Sequence, residues 1–275
     1  MGERSAGDAR PADRVRAHYE IERELADRLR AAPRAERLRL YAFVYDELFG
    51  RVPDHPQLTR RSDGRAQAER VRGRLAVIRH LAAPGFTFLE IGAGDCSLSL
   101  AVAEYAKRVV AIDVTDELRP AVAATPNFAF ALSDGLRLDV PPGSIDLAYS
   151  DQLLEHLHPD DAADHSREVH RVLKAGGRYV CFTPSPLTGP HDISKYFSAT
   201  ATGLHLKEYT TADLRRLFAG AGFSQVRNIV HARGRLFLVP SGPFAWAERA
   251  ARRLPGELPR RPAVAERLGA VVATK

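Results

Sequence analysis

Two glycines and one acidic residue have types and a spacing that could bind a ligand together. Gly92 and Gly94 follow an apolar segment at 86–91, and Asp113 lies 21 positions after Gly92, at the end of a second apolar segment. Glycine lets the backbone turn sharply and approach a ligand that a Cβ atom would exclude. A carboxylate about 20 residues further on can reach the ribose of a bound nucleoside. The spacing therefore predicts a nucleoside site where two strands end.

The charges around this turn argue against a dinucleotide. The third glycine of the dinucleotide fingerprint would fall at position 97, where the chain has Ser97. Glu90 precedes the turn and Asp95 lies inside it. Two carboxylates are poor neighbours for a pyrophosphate, which usually lies on the helix N-terminus beneath such a turn. They suit a positively charged ligand such as S-adenosylmethionine, which has an ammonium group, a sulfonium group and a ribose.

Later segments continue the pattern in the same order. An Asp-Gly pair at 134–135 follows a short apolar run, a fourth strand ends at Asp151, and a Gly-Gly pair precedes a further strand at 178–183. From Leu75 to Val239 the chain resembles class I S-adenosylmethionine-dependent methyltransferases. The resemblance implies that Asp113 binds the ribose hydroxyls and Asp134 the adenine amino group. The cofactor-binding residues that it implies are Glu90, Gly92, Ala93, Gly94, Asp113, Val114, Asp134, Gly135, Leu136 and Asp151.

The elements that must position these residues alternate between strands and helices, which is typical of a parallel sheet with crossover helices. Strands are predicted at 86–91, 109–113, 127–131, 145–150 and 178–183, with helices at 96–107, 116–124 and 161–173 and a helix leaving the fourth strand at 152. A helix at 211–221 and a hairpin at 226–231 and 235–239 follow. The expected fold is α/β, with a Rossmann-like, seven-stranded, mostly parallel sheet whose last strand is antiparallel, plus an N-terminal helical cap.

Composition shifts divide the chain into three regions. Residues 1–82 are predicted to form the cap, with helices at 12–29, 35–49 and 67–81 and a proline-containing loop at 50–56. Residues 83–240 are predicted to form the core. Within it, a polar segment at 184–209 interrupts the alternation of strands and helices and is predicted to be a lid or substrate segment. Residues 241–275 have seven Lys or Arg against three Glu and four prolines, and are predicted to be a basic, partly helical tail.

Residues able to accept a proton cluster in the 184–209 segment. Methyl transfer from a sulfonium needs in-line alignment and, for a hydroxyl acceptor, a general base. An imidazole with the ordinary pKa of about 6.5 suits that task at neutral pH. We expect His191 to be the base, with Asp192 beside it and His156 in reserve, and we expect His191, His205 and Tyr196 to contact the substrate. A divalent metal on His191, Asp192 and His205 is the less favoured alternative, and no metal is assigned.

Three functions remain open on sequence grounds. The favoured one is O-methylation of a sugar-bearing or secondary-metabolite hydroxyl. Transfer to nitrogen or carbon of a small molecule is the second, and a cofactor-binding or regulatory protein without turnover is the third. The Asn/Asp-Pro-Pro-Tyr signature of base-amino methyltransferases is absent, since the fourth strand ends in Tyr149-Ser-Asp-Gln152.

Bulk composition limits the classes of substrate and the locations that are expected for the protein. The net charge is +6, but no recognition-helix, RNP or zinc pattern accompanies the basic residues, so a nucleic-acid substrate is unlikely and a small-molecule acceptor is favoured. No apolar stretch approaches the roughly 18 residues of a membrane span. The chain has two cysteines and no secretory signal pattern, which predicts a cytoplasmic protein. A homodimer is left open.

Overall fold

The computed structural model describes residues 8–61, 64–114, 125–134, 136–232, 235–251 and 270–275. The strands in these residues are β1 (Thr87–Ile91), β2 (Arg108–Asp113), β3 (Phe128–Leu132), β4 (Ile145–Asp151), β5 (Leu173–Phe182), β6 (Gln225–Ala232), β7 (Arg235–Pro240) and β8 (Ala270–Thr274). They form one sheet in the order β3-β2-β1-β4-β5-β8-β6-β7.

The described helices are α1 (Ala12–Ala31), α2 (Arg34–Arg51), α3 (Pro56–Arg61), α4 (Gly64–Leu81), α5 (Ser97–Ala103), α6 (Pro159–Val172), α7 (Thr211–Gly220) and α8 (Ser241–Ala251). Two short 3₁₀ helices lie at Leu154–His156 and Ile193–Tyr196. None of the helices in the described part of the chain is long and apolar enough to cross a membrane. The predicted helix at 116–124 lies outside the described residues.

The sheet confirms the predicted fold class. β1 to β5 pair in parallel, in the order that places β1 at the centre between β2 and β4. β8 runs antiparallel to both β5 and β6, and β7 runs antiparallel to β6. The sheet is therefore Rossmann-like and mostly parallel. It has eight strands rather than the seven expected, because β8, which was not predicted, lies between β5 and β6.

Alternate residues of the central strands pack into two separate cores. Successive side chains of a strand point to opposite faces, so a strand covered on both faces is apolar throughout. Leu89, Tyr179 and Val271 belong to the core that includes α2 and α6. Phe88 and Val180 belong to the opposite core, beside α4 and α5. Burial of both faces fixes the register, since a slip by one residue would exchange the two sets.

The C-terminal segment corrects the prediction of a tail. Ala270–Thr274 is a central strand, and Val271 and Ala273 are fully buried. Lys275 then donates from Nζ to the carbonyl oxygens of His170 and Leu173, at 2.7 and 2.8 Å, where α6 ends. The run Ala-Val-Val-Ala is the signal that could have identified this strand, because a short continuous apolar run is typical of a doubly covered strand. Residues 252–269 of the predicted tail lie outside the described residues.

The first two helices, α1 and α2, are called the cap below and are tied to the core by a buried ion pair, whereas α4 packs on the opposite face of the sheet. Arg37 in α2 donates from Nε and Nη2 to the carboxylate of Asp161 in α6, at 2.6 and 2.8 Å, and the Tyr41 hydroxyl donates to the same carboxylate at 2.8 Å. Asp161 is fully buried. A buried carboxylate is stable only with such partners, so this contact fixes the position of the cap on the sheet.

Two local predictions were wrong. The helix expected after β4 is a single 3₁₀ turn at Leu154–His156, which follows Gln152 with φ +56°. The region predicted as a loop at 50–56 leads directly into α3, which begins at Pro56, where proline is tolerated because the first helical N–H needs no partner. Both differences lie at element ends, where propensity carries the least information.

Candidate active site

The glycine turn lies at the carboxyl ends of β1 and β2, as the spacing predicts. Gly92 and Gly94 have φ of +75° and +51°, a conformation that side chains disfavour. The Gly92 and Ala93 amides donate to the Ile112 carbonyl at 2.8 and 3.2 Å, and the Gly94 amide donates to Asp113 Oδ2 at 2.7 Å. The carboxylate of Asp113 is therefore held beside the turn, next to the half-buried Val114.

Asp134 also organises a turn. Its Oδ1 accepts hydrogen bonds from the backbone N–H groups of Leu136 and Arg137, at 2.9 and 2.7 Å. Leu136 is buried, whereas Asp134 is exposed. β3 and β2 are parallel neighbours, so Asp134 and Asp113 follow adjacent strands at the same edge of the sheet. Gly135, the other predicted residue of this turn, lies outside the described residues.

Glu90 is buried within β1, immediately before the glycine turn. Its Oε2 accepts a hydrogen bond from the Ser99 hydroxyl at 2.5 Å. Burial raises the pKa of Glu90 to about 8, more than the Ser99 hydrogen bond lowers it, and the negative charge of Asp151 raises it further. Glu90 is therefore protonated at neutral pH in the protein without ligand. A cation placed against it would favour its ionised form.

Asp151 has a cationic partner that the sequence analysis missed. Arg74 of α4 donates to Asp151 Oδ2 and Oδ1 at 2.8 and 3.3 Å, and the Tyr149 hydroxyl donates to Oδ2 at 3.1 Å. The Arg74 guanidinium also lies 3.8 Å from the centre of the Phe182 ring. Arg74 lies 77 residues from Asp151 in sequence, and no local pattern connects the two. Gln67, which also belongs to α4, donates a hydrogen bond from its Nε2 to the carboxylate of Asp95 in the glycine turn.

The 184–209 segment packs against the ends of β4 and β5. The Lys207 amide donates to the Glu155 carbonyl at 3.2 Å, and the Tyr209 amide donates to the Pro184 carbonyl at 3.3 Å. The Thr183 hydroxyl donates to Glu155 Oε2 at 2.9 Å. Burial raises the pKa of Glu155 to about 7, although the positive charge of His205 opposes this.

The cap covers the other side of this segment. The Leu204 amide donates to Glu22 Oε2 at 3.3 Å, and Arg30 donates to the Gly203 carbonyl at 3.2 Å. The rings of Tyr19 and Phe197 stack with centroids 4.5 Å apart. Neighbouring Tyr196 is half-buried, with Lys195 Nζ 4.9 Å from its ring centre. The segment is thus enclosed between the cap and the sheet.

His156 does not have the environment expected of a reserve base. Its Nδ1 donates to the Leu204 carbonyl at 3.0 Å and lies 2.9 Å from the Tyr45 hydroxyl. Burial lowers the pKa of His156 to about 3, and the neighbouring charge of His205 lowers it further. An imidazole with so low a pKa is a poor proton acceptor at neutral pH, because a general base works best with a pKa near the operating pH.

The partner of His191 is Glu208, not Asp192. Glu208 Oε1 lies 3.3 Å from His191 Nδ1 and accepts the His191 backbone N–H at 2.7 Å. His191 Nε2 lies 3.1 Å from the Thr188 hydroxyl. Asp192 instead accepts hydrogen bonds from the Ser194 and Gly203 amides, at 2.9 and 3.0 Å. Adjacent side chains in an extended segment point in opposite directions, which explains why the sequence neighbour is not the structural partner.

Glu208 connects His191 to the buried His205. Its Oε1 accepts a hydrogen bond from His205 Nδ1 at 3.0 Å. Burial alone would raise the pKa of Glu208, but the hydrogen bonds from His191 and His205 outweigh it and lower the pKa to about 2. Burial alone would lower the pKa of His205, yet Glu208 and nearby acidic residues raise it. Glu208 was not among the residues predicted from sequence, although the His-x-x-Glu spacing at 205–208 could have indicated it.

A family model described as a methyltransferase domain matches residues 89–181, which extend from β1 to β5. No curated protein matches the chain. A crystal structure of an S-adenosylmethionine-dependent methyltransferase from Mesorhizobium loti is similar, with 19% identity, a TM-score of 0.50, and coverage of 73% of this chain and 96% of that chain.

Two further solved structures share the fold. A chain in the complex of the Haloferax volcanii Trm112 methyltransferase activator with a methyltransferase has 19% identity and a TM-score of 0.52, covering 78% of this chain and 94% of that one. A protein from Bordetella parapertussis has 18% identity and a TM-score of 0.52, with 96% of both chains covered. At such identities the likeness establishes the fold, and the domain match establishes the enzyme class. Residues 89–181 thus carry a methyltransferase domain in a Rossmann-like fold, which indicates an enzyme whose cofactor is S-adenosylmethionine.

Proposed function

We propose that the enzyme methylates a hydroxyl group of a small molecule, of a sugar-bearing or secondary-metabolite type, with His191 as the general base. The observation that carries the proposal is the arrangement of the His191 ring between a carboxylate and a hydroxyl. Glu208 lies at Nδ1, and the Thr188 hydroxyl lies 3.1 Å from Nε2. A hydroxyl acceptor must lose a proton as it attacks the methyl group, and an imidazole oriented by a carboxylate suits that step.

The cofactor half of the proposal rests on the turns that follow β1, β2 and β3. We propose that Asp113 binds the ribose hydroxyls and that Asp134, with the Leu136 backbone, contacts the adenine ring. Glu90 and the glycine turn would face the cationic end of the cofactor, because Glu90 is the buried acid nearest to the turn. Asp151, already paired with Arg74, would position the turn from the β4 side.

The acceptor half of the proposal rests on the 184–209 segment and the cap. The sheet edge is occupied by the turns that serve the cofactor, so specificity would depend on the enclosing segment, including His205 and Tyr196. We also propose a cytoplasmic location, because the chain has only two cysteines and both, Cys96 and Cys181, are buried.

A screen of methyl transfer from S-adenosylmethionine to glycosides, phenols, amines and quinols would test the function. We expect a hydroxyl-bearing acceptor to be methylated, and we expect His191→Ala to reduce turnover at least about tenfold, with cofactor affinity retained. Glu208→Gln should lower kcat by a smaller factor, since it only orients the ring. His231→Ala removes an exposed histidine of β6 and serves as the control.

The alternatives predict different outcomes. Transfer to amines alone, with His191→Ala fully active, would contradict O-methylation and favour transfer to nitrogen. Cofactor binding without transfer to any acceptor class would favour a regulatory protein that binds S-adenosylmethionine. Loss of cofactor affinity in His191→Ala would mean that the residue supports the cofactor and not the acceptor.

A further inference from the structure

We propose that Glu155, His156 and His205 form a binding site for a divalent transition-metal ion such as Zn²⁺. One donor atom from each of the three residues lies within 4.8 Å of the other two. Glu155 and His156 belong to the 3₁₀ turn after β4, and His205 comes from the 184–209 segment. The rings of the two histidines have centroids 4.9 Å apart, at 73° to each other. This site does not depend on the methyl acceptor proposed above.

The hydrogen bonds of the two histidines leave the same nitrogen available on each ring. His156 Nδ1 must donate its proton to the Leu204 carbonyl, because a carbonyl oxygen can only accept. His205 Nδ1 donates to Glu208 in the same way. Within the described residues, neither Nε2 atom has a hydrogen-bond partner. Histidines that bind metals almost always donate their other N–H to a carbonyl or a carboxylate, which fixes the tautomer and directs the free lone pair.

Glu155 supplies an independent indication of a ligand. The residue is fully buried, and its Oε1 atom has no hydrogen-bond partner among the described residues. Its other oxygen accepts from the Thr183 hydroxyl, which holds the carboxyl group in place. A buried carboxylate oxygen without a partner costs free energy. A cation shared with the two imidazoles would satisfy this oxygen.

A second cluster of the same composition shows why this inference applies to one site only. His18, Glu22 and His55 also lie close together and are buried. There, Arg10 donates to His18 Nδ1 at 3.1 Å, so His18 Nε2 carries the proton that it donates to Glu22 at 2.8 Å. Glu22 accepts a further hydrogen bond from the Leu204 amide. Its polar atoms are thus paired and a cation is already adjacent, which disfavours a metal.

Two imidazole nitrogens and one carboxylate oxygen select a borderline transition metal over Mg²⁺ or Ca²⁺, which prefer oxygen ligands alone. Zn²⁺ binds such atoms at about 2.0–2.1 Å, which places tetrahedral ligands roughly 3.3 Å apart. The donor atoms lie within 4.8 Å of one another, so a shift of each by about 1 Å would bring them to that spacing. Glu208, which orients His205, would act as a positioning residue for the metal ligand.

Calorimetric titration of the chelator-treated, untagged, full-length protein with Zn²⁺ would test the site. We expect one ion to bind per chain, and we expect Mg²⁺ at the same concentration not to compete. His205→Ala and Glu155→Gln should each raise the Kd for Zn²⁺ by more than about 100-fold, and Glu208→Gln by about 10–100-fold, as for other outer partners of metal ligands. His55→Gln, in the paired cluster, is the matched control and should bind Zn²⁺ like the wild type.

Folding is monitored by circular dichroism, and Zn²⁺ should raise the Tm of the wild type but not that of Glu155→Gln. The proposal would be overturned by the absence of saturable Zn²⁺ binding, or by wild-type affinity in both His205→Ala and Glu155→Gln. It would also be overturned if His55→Gln alone abolished binding, because the metal would then occupy the other cluster. None of these measurements requires turnover, so they remain decisive if the proposed acceptor is wrong.

Discussion

Replacement of Glu90 by Gln should remove a loss of stability that the wild type undergoes as the pH rises from 5 to 8. Burial raises the pKa of Glu90 from 4.5 to about 8. Between these values the folded protein keeps a proton that the unfolded chain has lost. Stability therefore falls as pH rises through this window, since the native state binds more protons than the unfolded state. Glutamine has the same shape and does not titrate, so the variant lacks this loss.

The magnitude follows from the pKa shift. One pKa unit corresponds to about 1.4 kcal/mol. From pH 5 to pH 8 the wild type should lose roughly 3 kcal/mol of unfolding free energy relative to Glu90→Gln. At any single pH, the difference in unfolding free energy between Glu90→Gln and the wild type also includes a cost of the glutamine. Its buried amide N–H groups need hydrogen-bond partners and cost about 1–3 kcal/mol if they find none. The change with pH is the quantity that isolates Glu90.

Urea unfolding of both proteins without cofactor, at pH 5, 6, 7 and 8, measures this change. Other titrating groups, such as Glu22 and Glu208, whose pKa values are lowered to about 2, affect both proteins equally and cancel in the difference. Glu20→Gln, at an exposed position of α1, is the control for the removal of one carboxyl group. If the curves of wild type and Glu90→Gln run parallel from pH 5 to pH 8, the burial argument is wrong.

Three further predictions each concern one residue or one strand. Asp113→Ala should weaken S-adenosylmethionine binding by about 1–3 kcal/mol, measured by calorimetry, whereas unchanged affinity would exclude a ribose contact. Arg37→Ala leaves Asp161 buried without its ion-pair partner and should cost about 3–5 kcal/mol in urea unfolding; a loss below about 1 kcal/mol would mean that the cap is held elsewhere. Truncation before Ala270 removes a central strand and should abolish the cooperative thermal transition that we expect of the full chain, while a folded, cofactor-binding product would contradict the assigned role of β8.

The positions of the turns that we propose for the cofactor could be predicted, because their residues are local to single strand ends. The strands of a parallel sheet all have their carboxyl ends at the same edge. A glycine turn after β1 and an acid at the end of β2 therefore lie close together, independently of how the other segments pack. Glycine at positions 92 and 94 already indicated the positive φ values that the structure shows there. Apolar runs of strand length likewise predicted β1 to β5 to within a few residues, apart from the earlier start of β5.

The acceptor half was only partly predictable, because its pairs are distant in sequence. His191 and Glu208 lie 17 residues apart, and Tyr45 and His156 lie 111 apart. A sequence shows that these groups exist but not which tautomer or partner each will have. Asp192 was the natural candidate beside His191, yet its carboxylate accepts backbone hydrogen bonds from Ser194 and Gly203. The path of the 184–209 segment determines that the carboxylate of Glu208, and not that of Asp192, lies beside the His191 ring.

The sequence by itself determined the fold class, the positions of β1 to β5 along the chain and the glycine turn after β1. These depend on hydrophobic periodicity and on backbone conformations that particular residues permit, both of which are local properties. Tertiary structure alone decided the place of β8, whose five residues carry too short a pattern to distinguish a strand from a tail. It also decided the ionisation of Glu90 and His156, because a pKa depends on burial and neighbouring charge, which exist only once distant segments have packed together.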